Sequence, residues 1–177
     1  MKSIRLIAPL SRQRGVTLIV ALIFLAILML LGVTVAQTSS MQERMAGNTR
    51  DRDLALQSAE AALKAADAAL SALPKVPQSD PDPNKRGKIT TAFDGSTVGY
   101  VAYDSAHASD AAYWSTYDWE GASQSAGTSL SQVAVQPRYV IEKLPDSANT
   151  QRFRVTARGV GASTSTVVIL QAGYENN

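Results

Sequence analysis

The residues with the most chemical potential surround the single histidine of the chain. Asp104, Ser105, Ser109 and Asp110 flank His107 and would supply the types of a Ser-His-Asp triad, in which the histidine accepts a proton from the serine. A triad also needs elements that hold its members and an oxyanion hole, and no Gly-x-Ser-x-Gly motif is present. We therefore interpret His107 as a surface-loop residue and predict no catalytic residues and no enzymatic activity.

Metal-binding patterns are weak in this sequence. The chain has no cysteine, which excludes disulfides, thiolate zinc sites and iron–sulfur clusters. Asp80, Asp82 and Asn84 alternate like part of a calcium-binding loop, but Lys85 and Arg86 follow where such a loop needs further oxygen ligands, and the bidentate glutamate is absent. We predict a solvated loop here, with no metal and no cofactor.

A dense aromatic group is the best candidate for recognition. Tyr113, Trp114, Tyr117 and Trp119 lie in an otherwise Ser-, Ala- and Gly-rich stretch and include both tryptophans of the chain. Aromatic side chains concentrate in interface hot spots, so these four residues are candidates for contact with a partner. The alternative is that they cover the domain core beneath a long loop.

The basic charge of the chain is concentrated at its beginning. Lys2, Arg5, Arg12 and Arg14 account for four of the 17 basic residues, and the chain that follows Gly15 carries a net charge of −2. Nucleic-acid binding needs a basic face on the folded body, so we predict no nucleic-acid partner. The later basic residues are interpreted as solvated faces, and they include Arg152, Arg154 and Arg158.

A long apolar segment follows these basic N-terminal residues. Residues 16–36 are almost entirely apolar, and no charged residue occurs between Gly15 and Glu43. As a helix, these 21 residues would span about 30 Å, the thickness of a bilayer core. The preceding basic residues predict a cytoplasmic N-terminus in the inner membrane, with the remaining body on the other side. The small residue Gly15 stands before the apolar run, which is the reverse of the order in a secretory signal peptide.

These residues resemble a known family. The run RQRG followed by VTLIVALIFLAILMLLG is similar to a class III leader of type IV prepilins, and the stretch from Gly15 to Leu63 resembles the N-terminal region of PilX-type minor pilins. The resemblance implies cleavage after Gly15 by prepilin peptidase and methylation of Val16, the new N-terminus. It also implies a helix, with Thr17, Val20, Gly32 and Gly47 on it, that packs with other minor pilins and the major pilin. Pilus assembly, cell adhesion and twitching motility are the functions that would follow.

One departure from the pilin pattern is informative. Major pilins carry glutamate at the fifth mature position, where it is thought to meet the N-terminal ammonium of a neighbouring subunit, whereas this chain has Val20. A subunit at the pilus tip has no earlier neighbour, and an unpaired charge in the membrane costs at least a few kcal/mol. Val20 therefore favours a tip or initiating position. The alternative is that the family tolerates an apolar residue there.

The remaining sequence predicts an α+β fold. Leu56, Leu63 and Leu70 recur every seven residues and interleave with a second set at the same spacing, Ala59, Ala66 and Leu73. This pattern predicts that the second half of the helix packs on a sheet until Pro74 ends it. We predict a weak point in the helix at Gly47. Strands are predicted over 133–142, 152–159 and 165–171, with a further strand or hairpin in 91–103. The economical architecture is a pilin-like one, a long N-terminal helix on an antiparallel sheet of about four strands.

This organisation divides the chain into three parts: a leader over 1–15, a transmembrane and juxtamembrane helix over 16–53, and a pilin-like domain over 54–177. After assembly, we expect the mature protein in the extracellular pilus. Two alternatives remain at this point. One is a type II secretion pseudopilin, and the other is a periplasmic binding or enzymatic domain held by an uncleaved anchor.

Overall fold

The computed structural model describes residues 16–108, 111–147 and 150–176. The elements in chain order are α1 (Val16–Ala72), β1 (Tyr100–Ala102), a 3-10 turn (Ser105–Ala108), α2 (Ala111–Thr116), β2 (Gln124–Ser125), β3 (Arg138–Ser147), β4 (Thr150–Val160) and β5 (Val167–Asn176). The predicted α+β class with a long N-terminal helix is confirmed. The chain forms two compact units, with the boundary after Gly47, and α1 remains helical through the predicted weak point.

The first unit is the apolar part of α1. Its large apolar side chains are all exposed, from 44% at Val20 to 74% at Met29. A soluble helix would bury an apolar stripe and expose polar residues, whereas this one carries apolar residues on every side. Exposure on this scale indicates a segment whose natural surroundings are not water.

The second unit contains a mixed five-stranded sheet, in the order β1-β3-β4-β5, with β2 also paired to β3. β2, β3, β4 and β5 pair in antiparallel fashion, as predicted. β1 differs, because Tyr100 and its neighbours pair in parallel with β3 opposite Ile141. The predicted strand or hairpin in 91–103 is reduced to these three residues. Gly95 and Gly99 adopt φ values of +82° and +81°, in the left-handed region, so the chain turns at both positions before β1 begins.

The boundaries of β3 also differ from the prediction. The strand begins at Arg138 and extends to Ser147, where the sequence indicated 133–142. Pro137 explains the later start, because proline has no N–H group to donate to a strand ladder. β4 matches its prediction closely, with Phe153, Val155 and Ala157 all buried on one face.

The face that α1 presents to the sheet is built mainly of small residues. The buried residues of the helix are Ala55, Ser58, Ala59, Ala62, Ala66 and Leu70. Of the predicted leucine stripe, Leu70 is buried and Leu63 packs at the margin of the core. Leu56 is 39% exposed, so the stripe is wrong at its first position. The alanine face displaces it because alanines allow the helix backbone to approach the sheet more closely than leucines would.

Two apolar clusters lie on opposite faces of the sheet. The larger one joins the alanine face of α1 to a group of residues of the sheet and its loops, which includes Ile89, Phe93, Tyr100, Ile141, Phe153 and Val155. The smaller one packs Trp114 and Trp119 on Val140, whose side chain points away from α1 because strand residues alternate in direction. Helix α2 and the aromatic residues therefore cover the face that α1 leaves open.

Candidate assembly helix and head-domain contacts

The apolar part of α1 is the first candidate functional surface. By its length and composition, helix α1 is long and apolar enough to cross a membrane. The hydroxyls of Thr34 and Thr38 donate to the carbonyls of Leu30 and Thr34, at 2.9 and 3.0 Å. Polar groups in lipid need such internal partners, so both threonines are compatible with a bilayer.

The predicted assembly residues all lie on this exposed segment. Val16, Thr17 and Val20 are exposed, and a Cβ added at Gly32 or Gly47 would meet no atom within 4 Å. The two glycines therefore leave notches on the helix that a neighbouring helix backbone could approach closely. Gly15, the predicted processing residue, lies outside the described residues.

Asp51 fixes the part of α1 that belongs to the second unit. Its carboxylate oxygen Oδ1 accepts hydrogen bonds from the backbone N–H groups of Ala162 and Ser163, at 2.5 and 3.1 Å. The pKa of Asp51 is lowered, first by a hydrogen bond from the Thr166 side chain and then by the Ser163 N–H. The carboxylate thus joins the helix to the turn that connects β4 with β5.

Two glycines permit this close approach. A Cβ on Gly159 would come within 2.1 Å of the Ala55 carbonyl oxygen, and one on Gly161 would come within 2.4 Å of Asp51 Oδ1. Any larger residue would force the helix and the strand apart. The local sequence does not reveal that either glycine is a packing residue, because the requirement for glycine comes from the contact with α1.

The four aromatic residues divide between the two predicted roles. Trp114 and Trp119 are 4% and 5% exposed, and their ring nitrogens donate to the carbonyls of His107 and Trp114, at 2.8 and 3.0 Å. Buried side chains with internal partners fit the alternative role, a cover over the domain core, and contact with a partner stays a prediction. Tyr113 and Tyr117 are half-buried and pack against the tryptophans at the margin of the cluster.

A buried ion pair on β3 and β4 was not anticipated. Glu142 is 1% exposed, and its Oε2 accepts hydrogen bonds from Arg154 Nε and Nη2, at 2.9 and 2.5 Å. Its Oε1 accepts the backbone N–H of Asp104 at 2.7 Å. The carboxylate thereby holds the segment before the 3-10 turn on the sheet. Arg154, interpreted from the sequence as solvated, is a partner of this buried acid, and only the β3–β4 register, which places Glu142 opposite Arg154, reveals the pair.

His107 lies beside this ion pair rather than in a catalytic arrangement. Its Nδ1 is buried 3.8 Å from Glu142 Oε1, its Nε2 is 3.5 Å from Asp104 Oδ2, and its ring stacks on Tyr113 at 4.1 Å. Within the described ranges, no serine hydroxyl hydrogen-bonds to either ring nitrogen. Ser109 and Asp110, the other candidate triad members, lie outside these ranges. The geometry is that of a half-buried loop histidine.

The acidic loop has its own internal partners. Asp80 and Asp82 accept hydrogen bonds from the backbone N–H groups two residues later, and Lys85 lies 3.7 Å from Asp82. Among the residues that the structure describes, no group of three or more acidic or histidine side chains could hold a metal ion.

The apolar part of α1 leads into an α+β domain, residues 48–176, which we call the head and in which the second part of α1 packs on the sheet. This arrangement defines a pilin-like protein. The match to protein families makes this assignment specific. Residues 14–64 match the PilX N-terminal family model, and residues 78–176 match the C-terminal model of type IV pilus assembly protein PilX. The chain therefore belongs to the PilX family of type IV pilus assembly proteins, which are structural proteins. No curated protein and no solved structure matches the chain significantly.

Proposed function

We propose that this minor pilin is cleaved after Gly15 and primes pilus assembly from the tip of the filament. The observation that carries the proposal is Val20, which supplies an apolar side chain, 44% exposed, at the fifth position of the mature helix. Because no charged side chain occurs between Gly15 and Glu43, the helix carries no carboxylate in the membrane that would need the N-terminal ammonium of an earlier subunit. A subunit that starts a filament needs this property, and one added later does not.

The helix would also supply the contact with the next subunits. Without a hydrophobic driving force inside lipid, helices associate by close packing at small residues. Gly32 provides such a notch in the middle of the apolar segment, and Thr17 and Gly47 provide small residues towards its two ends. The proposed partners are other minor pilins and the major pilin, after processing by prepilin peptidase at the inner membrane.

Family membership favours the pilus over a secretion system. The tip position is tested by restoring the charge at position 20. We expect Val20→Glu to reduce the number of pili or to move this subunit away from the tip in labelled filaments, because its carboxylate has no earlier N-terminus to meet. Val20→Ile is the matched control and should leave both unchanged. Normal pilus numbers and tip labelling with Val20→Glu would contradict the tip position.

A further inference from the structure

A cavity between α2 and β5 has no role in the assembly described above. It has a volume of about 320 Å³ and is lined by Trp114, Ser115, Arg158, Val167 and Ile169. Arg158 and Ile169 are cross-strand neighbours on β4 and β5, so the cavity lies on the sheet face that α2 covers. Among the described lining residues, the side chains of Trp114, Val167 and Ile169 are apolar, and the Arg158 guanidinium carries the charge.

Arg158 is unusual among the arginines of the sheet. Arg154 is paired with Glu142, and Arg138, directly opposite Arg158 on β3, is paired with Glu120 at 3.0 Å. Within residues 16–108, 111–147 and 150–176, the guanidinium of Arg158 has no acceptor at hydrogen-bond distance and no carboxylate at ion-pair distance. Its contact is with the Trp119 ring, 6.0 Å from the ring centroid.

The surroundings of Arg158 make this charge receptive to an anion. Burial lowers the pKa of the guanidinium, Glu120 raises it, and the neighbouring Arg138 lowers it again. A half-buried cation that lacks a partner gains more from a carboxylate than a solvated cation does, since less water must be removed and the local dielectric is lower.

The strand that borders the cavity adds a second feature. β5 is the last strand of the sheet order and pairs only with β4, so in the described part of the chain its outer backbone groups have no strand partner. Val167, at its start, is 41% exposed. An exposed strand edge is a template for an extended segment of another chain, whose alternate side chains then enter neighbouring pockets.

We propose that β5 and this cavity bind an extended segment of another polypeptide that places an aspartate or glutamate on Arg158 and an apolar residue against Val167 and Ile169. A sugar acid would also carry a carboxylate, but its hydroxyls would need several polar partners, and among the described residues of the lining Ser115 alone carries a hydroxyl. The peptide fits better because its backbone is satisfied by the strand edge. The proposal does not depend on cleavage after Gly15 or on the tip position.

The test uses the full chain in detergent micelles and three labelled nine-residue peptides with blocked ends. The first alternates threonine and valine around a central glutamate, the second has glutamine in its place, and the third keeps the glutamate but has prolines that prevent strand pairing. We expect the first peptide to bind roughly tenfold more tightly than the second, which corresponds to one charge-assisted hydrogen bond. The proline peptide should bind more weakly than the first.

Two variants locate the site. Arg158→Gln should bind the glutamate and glutamine peptides equally, whereas Arg152→Gln, in the same strand but remote from the cavity, should keep the preference. Circular dichroism checks that both variants are folded. The proposal is overturned if the natural chain binds neither peptide or binds both equally, if both variants lose the preference alike, or if the proline peptide binds as well as the first. Tighter binding of glucuronate than of the glutamate peptide would also overturn it, in favour of a sugar site.

Discussion

Gly159 in β4 lies directly against the backbone of Ala59 in α1, so close that a Cβ on the glycine would come within 2.3 Å of the Ala59 nitrogen. Helix and sheet therefore meet at backbone level. The alanines of α1 make this approach possible, and Asp51 completes it by binding the turn after β4. Because the chain has no cysteine to form a disulfide, α1 and the sheet are held together by packing and hydrogen bonds of this kind.

Replacing Gly159 should lower the stability of the head. We expect Gly159→Ala to lower the free energy of unfolding by about 3 kcal/mol, because the new methyl group overlaps backbone atoms that cannot rotate away. Urea unfolding of the full chain in detergent measures the change. Gly173→Ala is the matched control, since a Cβ at that position in β5 meets no atom within 4 Å. Equal effects of the two substitutions would contradict the close contact.

The Asp51 contact should make stability depend on pH. Hydrogen bonds from Thr166 and the 162–163 backbone lower the pKa of Asp51 in the folded state, below the value of about 3.9 for a free aspartate. Its contribution is therefore fully present above roughly pH 4 and is lost as the pH falls through the lowered pKa. Asp51→Ala should be less stable than the natural chain at pH 7, and this difference should shrink towards pH 2.5.

Asp53→Ala provides the control for this pH series. Asp53 is exposed two residues further along the same helix. Unfolding curves of the natural chain and both variants, recorded between pH 7 and pH 2.5, separate a specific contact from the general effect of acid. A constant difference between Asp51→Ala and the natural chain across this range would show that the carboxylate charge does not matter.

Breaking the buried ion pair between Glu142 and Arg154 should cost more stability than breaking the exposed pair between Glu120 and Arg138. Glu142→Gln leaves the Arg154 guanidinium half-buried without its charge partner, and we expect a loss of about 3 kcal/mol in unfolding free energy. Glu120→Gln breaks the ion pair between Glu120 and Arg138. Because the Glu120 side chain is 70% exposed, this substitution should lower the unfolding free energy by less than about 1 kcal/mol. Replacing Glu142 and Arg154 together by methionine should recover most of the loss. Equal costs for the two single substitutions would argue against the burial of Glu142.

The tryptophans should act as core residues. Trp114→Ala should destabilise the head by about 3 kcal/mol or more, since it opens a cavity in the cluster with Trp119 and Val140. Tyr103→Ala, at a side chain that is 47% exposed, should change stability by less than about 0.5 kcal/mol. Thermal melting in detergent compares them. An unchanged melting temperature for Trp114→Ala, together with loss of piliation, would contradict the core role and favour contact with a partner.

Periodicity and composition predicted the elements that depend on local pattern. The alternation of Phe153, Val155 and Ala157 located β4, and the uncharged run after Gly15 located the apolar helix. The leucine repeat predicted that Leu56 packs on the sheet, but this side chain is 39% exposed. The face of α1 against the sheet consists mainly of alanines, which allow a closer approach of the two backbones than leucines would.

Contacts between segments that are distant in the chain could not be predicted from local sequence patterns. The parallel pairing of β1 with β3 and the pairing of Glu142 with Arg154 depend on strand register, which local spacing does not encode. The need for glycine at 159 and 161 likewise depends on which part of α1 lies against them. The resemblance of the N-terminal segment to PilX-type pilins identified the family because leader and helix are read directly from the linear sequence.

The most direct test of the proposed function is mass spectrometry of the mature chain purified from cells with and without prepilin peptidase. Processing after Gly15 predicts an N-terminal peptide that begins at a methylated Val16 when the peptidase is present, and a chain that keeps its basic leader when the peptidase is absent. A chain that begins at Met1 in both cells would contradict the account, because an uncleaved leader would keep four basic residues in front of the assembly helix.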